Sequence, residues 1–232
     1  MKVFHYLPKN IGSFAIFSIL LTACVNHISE ENEAIIADGN IPLKFVTDIH
    51  ELTNTRIVGN SFEEGEGVGL FALERYVDNL HFVRSSGGEF LSDELVYYPD
   101  DGVTLNLVSY YPYRQEGVAI GESTMSVSVE TNQEVAADYS RSDFLVAIRD
   151  GVSASIDAIP LTYNHKFFRL KIAIVPGEGG NVEDLLAADP NLSVSGFYTK
   201  AIYDFQKQFY SDYSEENVII PAGVWQIEAE KK

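Results

Sequence analysis

Cysteine is nearly missing from this chain: Cys24 stands alone among 232 residues. That excludes an internal disulfide framework and any multi-cysteine metal site. Basic residues are also scarce, 16 Lys and Arg against 34 Asp and Glu, for a formal charge of −18. A chain so anionic is not built to neutralise phosphates, so nucleic acid is excluded as a partner. An anionic membrane surface repels it as well. The catalytic signatures are lacking too. There is no G-x-S-x-G elbow, no H-E-x-x-H, no Walker A loop and no G-x-G-x-x-G at a strand-to-helix turn. His50, His81 and His165 show no metal-ligand spacing, and His165, just before an apolar run, reads as structural. No internal repeat and no low-complexity linker interrupts residues 41–230. No cofactor and no metal is therefore expected, and no enzymatic activity.

What the chain does have is apolar bulk. Hydrophobic residues make up 46%, with 14 Phe and 13 Tyr, too rich for disorder and enough for a substantial core.

Residues 1–23 read as an address rather than as fold. Lys2 and Lys9 form a short basic region, and a largely apolar stretch follows from Ile11 to Leu21. It is too short to span a bilayer, which takes roughly 20 apolar residues. It ends in Leu21-Thr22-Ala23-Cys24, which looks like a bacterial lipobox, with Cys24 as the lipidated first residue of the mature chain. Acyl chains contribute about 0.8 kcal/mol per buried CH₂, and several together anchor stably, here to the outer membrane. Removing residues 1–23 takes away two lysines and no acid, leaving a charge of about −20. Residues 24–40, with Glu30, Glu31, Glu33 and Asp38, read as an acidic tether. That tether resembles the export signals of surface lipoproteins in anaerobic diderm bacteria.

Beyond residue 40 the hydrophobic period is two. Ile41, Leu43, Phe45, Thr47 and Ile49 share one face, with Lys44 and Asp48 on the other. The same alternation runs through Val103–Leu107, Met125–Val129 and Phe168–Ile174. Further strands are predicted at 68–73, 81–84, 144–149, 200–205 and 224–229. Turns are marked by Glu64-Gly65-Glu66-Gly67, Ser86-Gly87-Gly88, Pro99-Asp100-Asp101-Gly102, Asp150-Gly151 and Pro176-Gly177. One short helix is predicted over Val182–Ala188, capped by Asn181 and stopped by Pro190. The fold class is all-β, an antiparallel β-sandwich filling residues 41–230 as one domain.

The chemistry-bearing clusters have plainer readings. Glu63, Glu64 and Glu66, like Asp100 and Asp101, fall in turns, where solvated loops outweigh calcium or a carboxylate pair. Gly65-Glu66-Gly67-Val68-Gly69 reads as a tight turn entering a strand rather than a phosphate cradle. Tyr110-Tyr111-Pro112-Tyr113 and Trp225 form a sugar-stacking platform only if they are exposed.

Five segments then converge. Phe62-Glu63-Glu64-Gly65-Glu66-Gly67-Val68-Gly69-Leu70-Phe71, Val108-Ser109-Tyr110-Tyr111-Pro112-Tyr113, Ser142-Asp143-Phe144-Leu145-Val146-Ala147 and Leu161–Leu170 stand in order, followed by Lys200–Phe205. Together they resemble the fimbrillin-like (Mfa-like) family of lipoprotein fimbrial subunits over about residues 41–205. Glu66 stands where that family usually has Asp, and Phe167-Phe168 is bulkier than its usual pattern. The resemblance implies a transthyretin-like β-sandwich on the cell surface, taking part in a fimbrium and in adhesion. It also implies partners: other fimbrial subunits, joined by β-strand addition after an Arg-specific protease removes the first strand. Here that strand carries Ile41, Leu43 and Phe45, and the cut falls at Thr55-Arg56-Ile57. The second, donor-strand domain of such subunits is expected to be absent, which favours an anchor or accessory role over the shaft. The alternative is a non-polymerising surface lipoprotein that captures glycans or host proteins through exposed aromatics.

Overall fold

The structure is a computed structural model that describes residues 3–7, 41–50, 61–73, 77–99, 102–119 and 121–228. Its strands in chain order are β1 (Val3–Leu7), β2 (Phe45–Ile49), β3 (Gly67–Ala72), β4 (Leu80–Arg84), β5 (Phe90–Leu91), β6 (Leu105–Tyr111), β7 (Thr124–Ser128), β8 (Leu145–Val152), β9 (Ile159–His165), β10 (Tyr198–Asp204), β11 (Phe209–Glu216) and β12 (Val224–Glu228). Among the described residues two six-residue helices accompany them, α1 (Ala136–Arg141) and α2 (Val182–Ala187). The protein is all-β, as its period-two patterning requires.

These elements gather into two compact units. The sandwich unit takes the described residues of Phe14–Met125 and Phe144–Lys166. The hairpin unit takes those of Met1–Ser13, Ser126–Asp143 and Phe167–Lys232.

The sandwich unit holds one seven-stranded sheet in the order β2-β9-β8-β6-β3-β4-β5. Five strand spacings separate β2 from β4, about 24 Å in a flat sheet. Yet the rings of Phe45 on β2 and Phe82 on β4 have centroids 4.8 Å apart. The sheet therefore curls over itself, and its two halves face each other across a single core. Leu43, Phe45, Phe62, Val68, Leu70, Phe82, Leu107, Leu145, Leu161 and Tyr163 fill that core. All the ladders of this sheet are antiparallel except β2 with β9, which is parallel. The fully antiparallel expectation is corrected there: alternation decides which face is buried and says nothing of strand direction.

Two glycines explain the glycine-rich entry to β3. A Cβ on Gly69 would lie 2.4 Å from the Tyr110 ring, and one on Gly67 would lie 2.3 Å from His81 Nε2. Each gives its place to an aromatic ring on a neighbouring strand, so the segment is a packing device. Asp150-Gly151, expected as a turn, is a bulge inside β8 instead. Gly151 has φ +66°, its N–H donates to Asn106 Oδ1 at 2.9 Å, and the β6–β8 register shifts there.

In the hairpin unit, β10 and β11 form a hairpin joined by β7 in the order β11-β10-β7, while β1 and β12 make a two-stranded ribbon. Asn181 caps α2, accepting from Asp184 N–H at 2.7 Å, as its position predicts. Helix α1 adds to the one helix expected; Ser142 at its C-terminal end donates to the Asp138 carbonyl at 3.0 Å and accepts from Glu130 N–H. Residues 168–174 form no strand despite their alternation, and Phe168 and Leu170 stay 72% and 53% exposed. Alternation permits a strand, but only a hydrogen-bonding neighbour makes one.

Burial ranks the positions of β2. Phe45→Ala is expected to destabilise the protein by about 3–5 kcal/mol. Val46→Ala, at a 55% exposed position, is expected to cost less than about 0.5 kcal/mol. Urea denaturation of both variants measures the difference.

Candidate functional site

The site this fold offers is an edge. Strand β2 is the terminal strand of the seven-stranded sheet, and along Phe45–Ile49 its ladder partner is β9, from Phe45 opposite Ile159 to Ile49 opposite Tyr163. Two further bonds fasten its ends to that side: Ile159 N–H donates to the Lys44 carbonyl at 2.8 Å, and His50 N–H to the Tyr163 carbonyl at 2.8 Å. On the other flank the chain just before β2 bridges to residues 96–98. Leu43 N–H donates to the Val96 carbonyl at 2.7 Å, and Tyr98 N–H to the Ile41 carbonyl at 3.0 Å. Residues 41–49 thus occupy a slot whose first part, 41–43, is bonded to the 96–98 segment and whose remainder is bonded to β9.

The inward face of this segment is the one its alternation marks. Leu43 and Phe45 are 5% and 6% exposed, and Ile41 and Ile49 are half-buried against the same core. Phe45 enters a nest of rings, 4.8 Å from Phe82 and 5.4 Å from Phe90. Phe62 closes the nest, 5.4 Å from Phe90 and 5.0 Å from Tyr163.

A polar cross-tie lies beneath. Ser109 is fully buried, and its hydroxyl donates to the Gly69 carbonyl at 2.8 Å. Having spent its one hydrogen there, it accepts from the Tyr163 hydroxyl at 2.6 Å. Three strands, β3, β6 and β9, are tied by one buried serine. Burial drives the Tyr163 hydroxyl well above the ordinary tyrosine pKa, and the Ser109 contact offsets part of that rise. Tyr110, also fully buried, donates to Asn79 Oδ1 at 2.6 Å and lies 3.0 Å from the Arg114 carbonyl. Burial pushes its pKa up to about 12.

Other residues singled out by sequence go elsewhere. Tyr110 and Tyr111 are core residues, and Trp225 is buried with its indole N–H on the Pro190 carbonyl at 2.6 Å. The sugar platform fails because these rings point into cores. Tyr113 stacks on His81 at 4.0 Å. Glu66 uses both carboxylate oxygens, accepting from Tyr111 O–H on β6 at 2.7 Å and from Glu63 N–H within its own turn at 2.6 Å. No group of three or more His, Cys, Asp or Glu is placed to hold a metal among the described residues. A cavity beside Phe71, Val77 and Val118 encloses about 20 Å³, room for roughly one water. Cys24 and Arg56 lie outside the described residues. Sequence reasoning missed Phe62, Phe82, Phe90 and residues 96–98 as walls of the slot. The Val96-Tyr97-Tyr98 run before Pro99 was the available signal.

An edge strand seated in an aromatic slot, over a buried serine and tyrosine spent on tying strands together, defines an all-β structural protein. The comparisons make that specific. Residues 55–232 match the fimbrillin-like family model, and this chain belongs to the fimbrillin-like family. That family is structural and adhesive rather than enzymatic. A curated relative from Bacteroides uniformis, "Putative fimbrium subunit Fim1C", is 26% identical over 201 residues. The match covers 82% of this chain but only 63% of the relative's length. Two crystal structures share the fold, each described as a "putative cell adhesion protein". The one from Bacteroides uniformis has a TM-score of 0.57 at 22% identity, covering 82% of this chain and 73% of the other. The one from Bacteroides ovatus has a TM-score of 0.53 at 15% identity, covering 83% and 74%.

The buried tyrosines set an alkaline limit. Their folded pKa values lie above the unfolded value of 10.0. The stability they contribute is therefore complete below pH 10 and drains away as pH rises through about 12, the folded value of Tyr110. Urea midpoints are expected to hold constant up to about pH 9 and fall beyond pH 10. Tyrosinate absorbance from the buried Tyr110 and Tyr163 is expected to appear together with unfolding.

Proposed function

We propose that this chain is a cell-surface fimbrial subunit serving adhesion, held in the outer membrane through acyl groups on Cys24 until it is cut at Arg56. Its neighbours are other fimbrial subunits, which it joins by β-strand addition: segment 41–49 is released by cleavage at Arg56 and replaced by a strand from the next subunit. Family membership and the names of the relatives support the fimbrial part of this reading. The lipobox at residues 21–24 supports the anchor.

The observation that carries strand addition is the seat of residues 41–49. The segment is terminal in its sheet, yet it buries Leu43 and Phe45. Those two side chains stabilise by about 3–6 kcal/mol together. Losing the strand forfeits that burial and strips hydrogen bonds from β9 and from residues 96–98, so an opened slot is a strong template for another strand. Alternating apolar side chains two residues apart would enter where Leu43 and Phe45 now sit. A role in capturing glycans or host proteins through Tyr110, Tyr111 and Trp225 has no comparable support, because those three rings are buried.

An Arg-specific protease added to the purified protein tests the exchange. A new N-terminus at Ile57 is expected, with loss of about 3–6 kcal/mol of stability and a gain of assembly by light scattering. Arg56→Ala is expected to abolish all three. A chain left uncut, or cut with unchanged stability and assembly, defeats the exchange. Labelling cells with a clickable palmitate analogue tests the anchor. Label is expected on the protein and absent from Cys24→Ala; equal label on both overturns it.

A further inference from the structure

Tyr98 is 4% exposed and belongs to the same core as Leu43 and Phe45. Among the described residues of the sandwich unit, its hydroxyl is the one fully buried side-chain polar atom with no hydrogen-bond partner. Such a group loses its hydration on folding and gains nothing in return. Ser109, Tyr110, Tyr111 and Tyr163, by contrast, are all bonded. The orphan also lies at the slot. Pro42 bridges Tyr97 in the antiparallel sense, and Tyr98 N–H donates to the Ile41 carbonyl at 3.0 Å. That register sets Ile41 directly opposite Tyr98 on the core face, with Cβ atoms about 5 Å apart. The resident strand therefore presents to Tyr98 a half-buried aliphatic side chain that can accept no hydrogen bond.

We propose that Tyr98 is a specificity-determining residue of the slot: it selects an incoming strand that carries a glutamine where Ile41 now stands. The glutamine side-chain carbonyl accepts from the Tyr98 hydroxyl. Chemistry narrows the choice to that residue. The hydroxyl sits at the far end of a ring, beyond the reach of a serine or threonine across the ladder. A carboxylate is long enough as glutamate, but its charge would be stripped of water in an apolar core. A neutral amide on a long stem meets both conditions. The selected strand then reads Gln-x-apolar-x-aromatic, its second and third inward residues taking the places of Leu43 and Phe45. The resident strand satisfies the ladder and the core but not this hydroxyl, so it is the weaker occupant and exchange gains a hydrogen bond. Selection of an incoming strand rests on the exchange proposed above; the coupling of position 41 to Tyr98 does not.

The first test needs no cleavage. Tyr98→Phe in the intact chain is expected to leave the urea midpoint unchanged or raised, because it removes a hydroxyl that bonds to nothing. Ile41→Gln is expected to cost about fivefold less in the unfolding constant beside Tyr98 than beside Tyr98→Phe. Ile41→Leu is expected to cost the same in both backgrounds. A Tyr98→Phe chain that is clearly less stable would show the hydroxyl already satisfied, and equal costs for Ile41→Gln would show no coupling; either overturns the role of Tyr98. The second test reads selection. The chain is cut at Arg56, freed of its first strand and titrated with peptides of residues 40–50, native or carrying Ile41→Gln. The Ile41→Gln peptide is expected to bind about fivefold more tightly than the native one, and the order to reverse on Tyr98→Phe. An order that is the same on both chains overturns the selection. If neither peptide binds, or the chain stays uncut, exchange itself has failed, and the intact-chain cycle alone decides whether position 41 and Tyr98 are coupled.

Discussion

Everything in the sandwich unit depends on how Phe45 is buried. It belongs to a strand at the end of a sheet, where hydrogen bonding is poorest, yet its ring reaches the centre of the core. That is possible because the sheet curls until its first and sixth strands meet at 4.8 Å between ring centroids. The strand with one continuous ladder is therefore also a keystone of packing. A segment in that position is locally the easiest to peel away and globally among the costliest to lose. That combination is what a replaceable strand requires.

The floor of the slot is stiffened by means that leave the strand itself alone. The Ser109 hydroxyl joins the Gly69 carbonyl and Tyr163, linking β3, β6 and β9 without touching β2. Tyr110 is tied to Asn79, and Tyr111 to Glu66. Gly67 and Gly69 let the His81 and Tyr110 rings close on β3. Each buried hydroxyl in this set has a partner, which stiffens the surroundings of residues 41–49. These are structural uses of residues that elsewhere supply chemistry.

The two units differ in how well they cover themselves. The sandwich unit surrounds one large core. The hairpin unit leaves Phe168, Leu170, Phe209 and Tyr213 more than half exposed, and its core around Trp225 is small. Its β12 relies on a strand from the far end of the sequence.

The amino-acid order by itself determined the class of fold, the buried face of residues 41–49, the capped helix at Val182 and the tight turn that enters β3. These are local matters: a period of two, a capping side chain and a turn residue act over a few positions. It also carried the family resemblance that the comparison over residues 55–232 establishes. Tertiary structure alone decided that β2 runs parallel to β9, that residues 96–98 form its other wall, and that Asp150-Gly151 is a bulge. It alone left Phe168–Ile174 outside any sheet and gave β12 its partner at residues 3–7. The reason is the same in each case. A strand's neighbours and direction are set by segments distant in sequence, and no local pattern says which of several alternating stretches will be chosen.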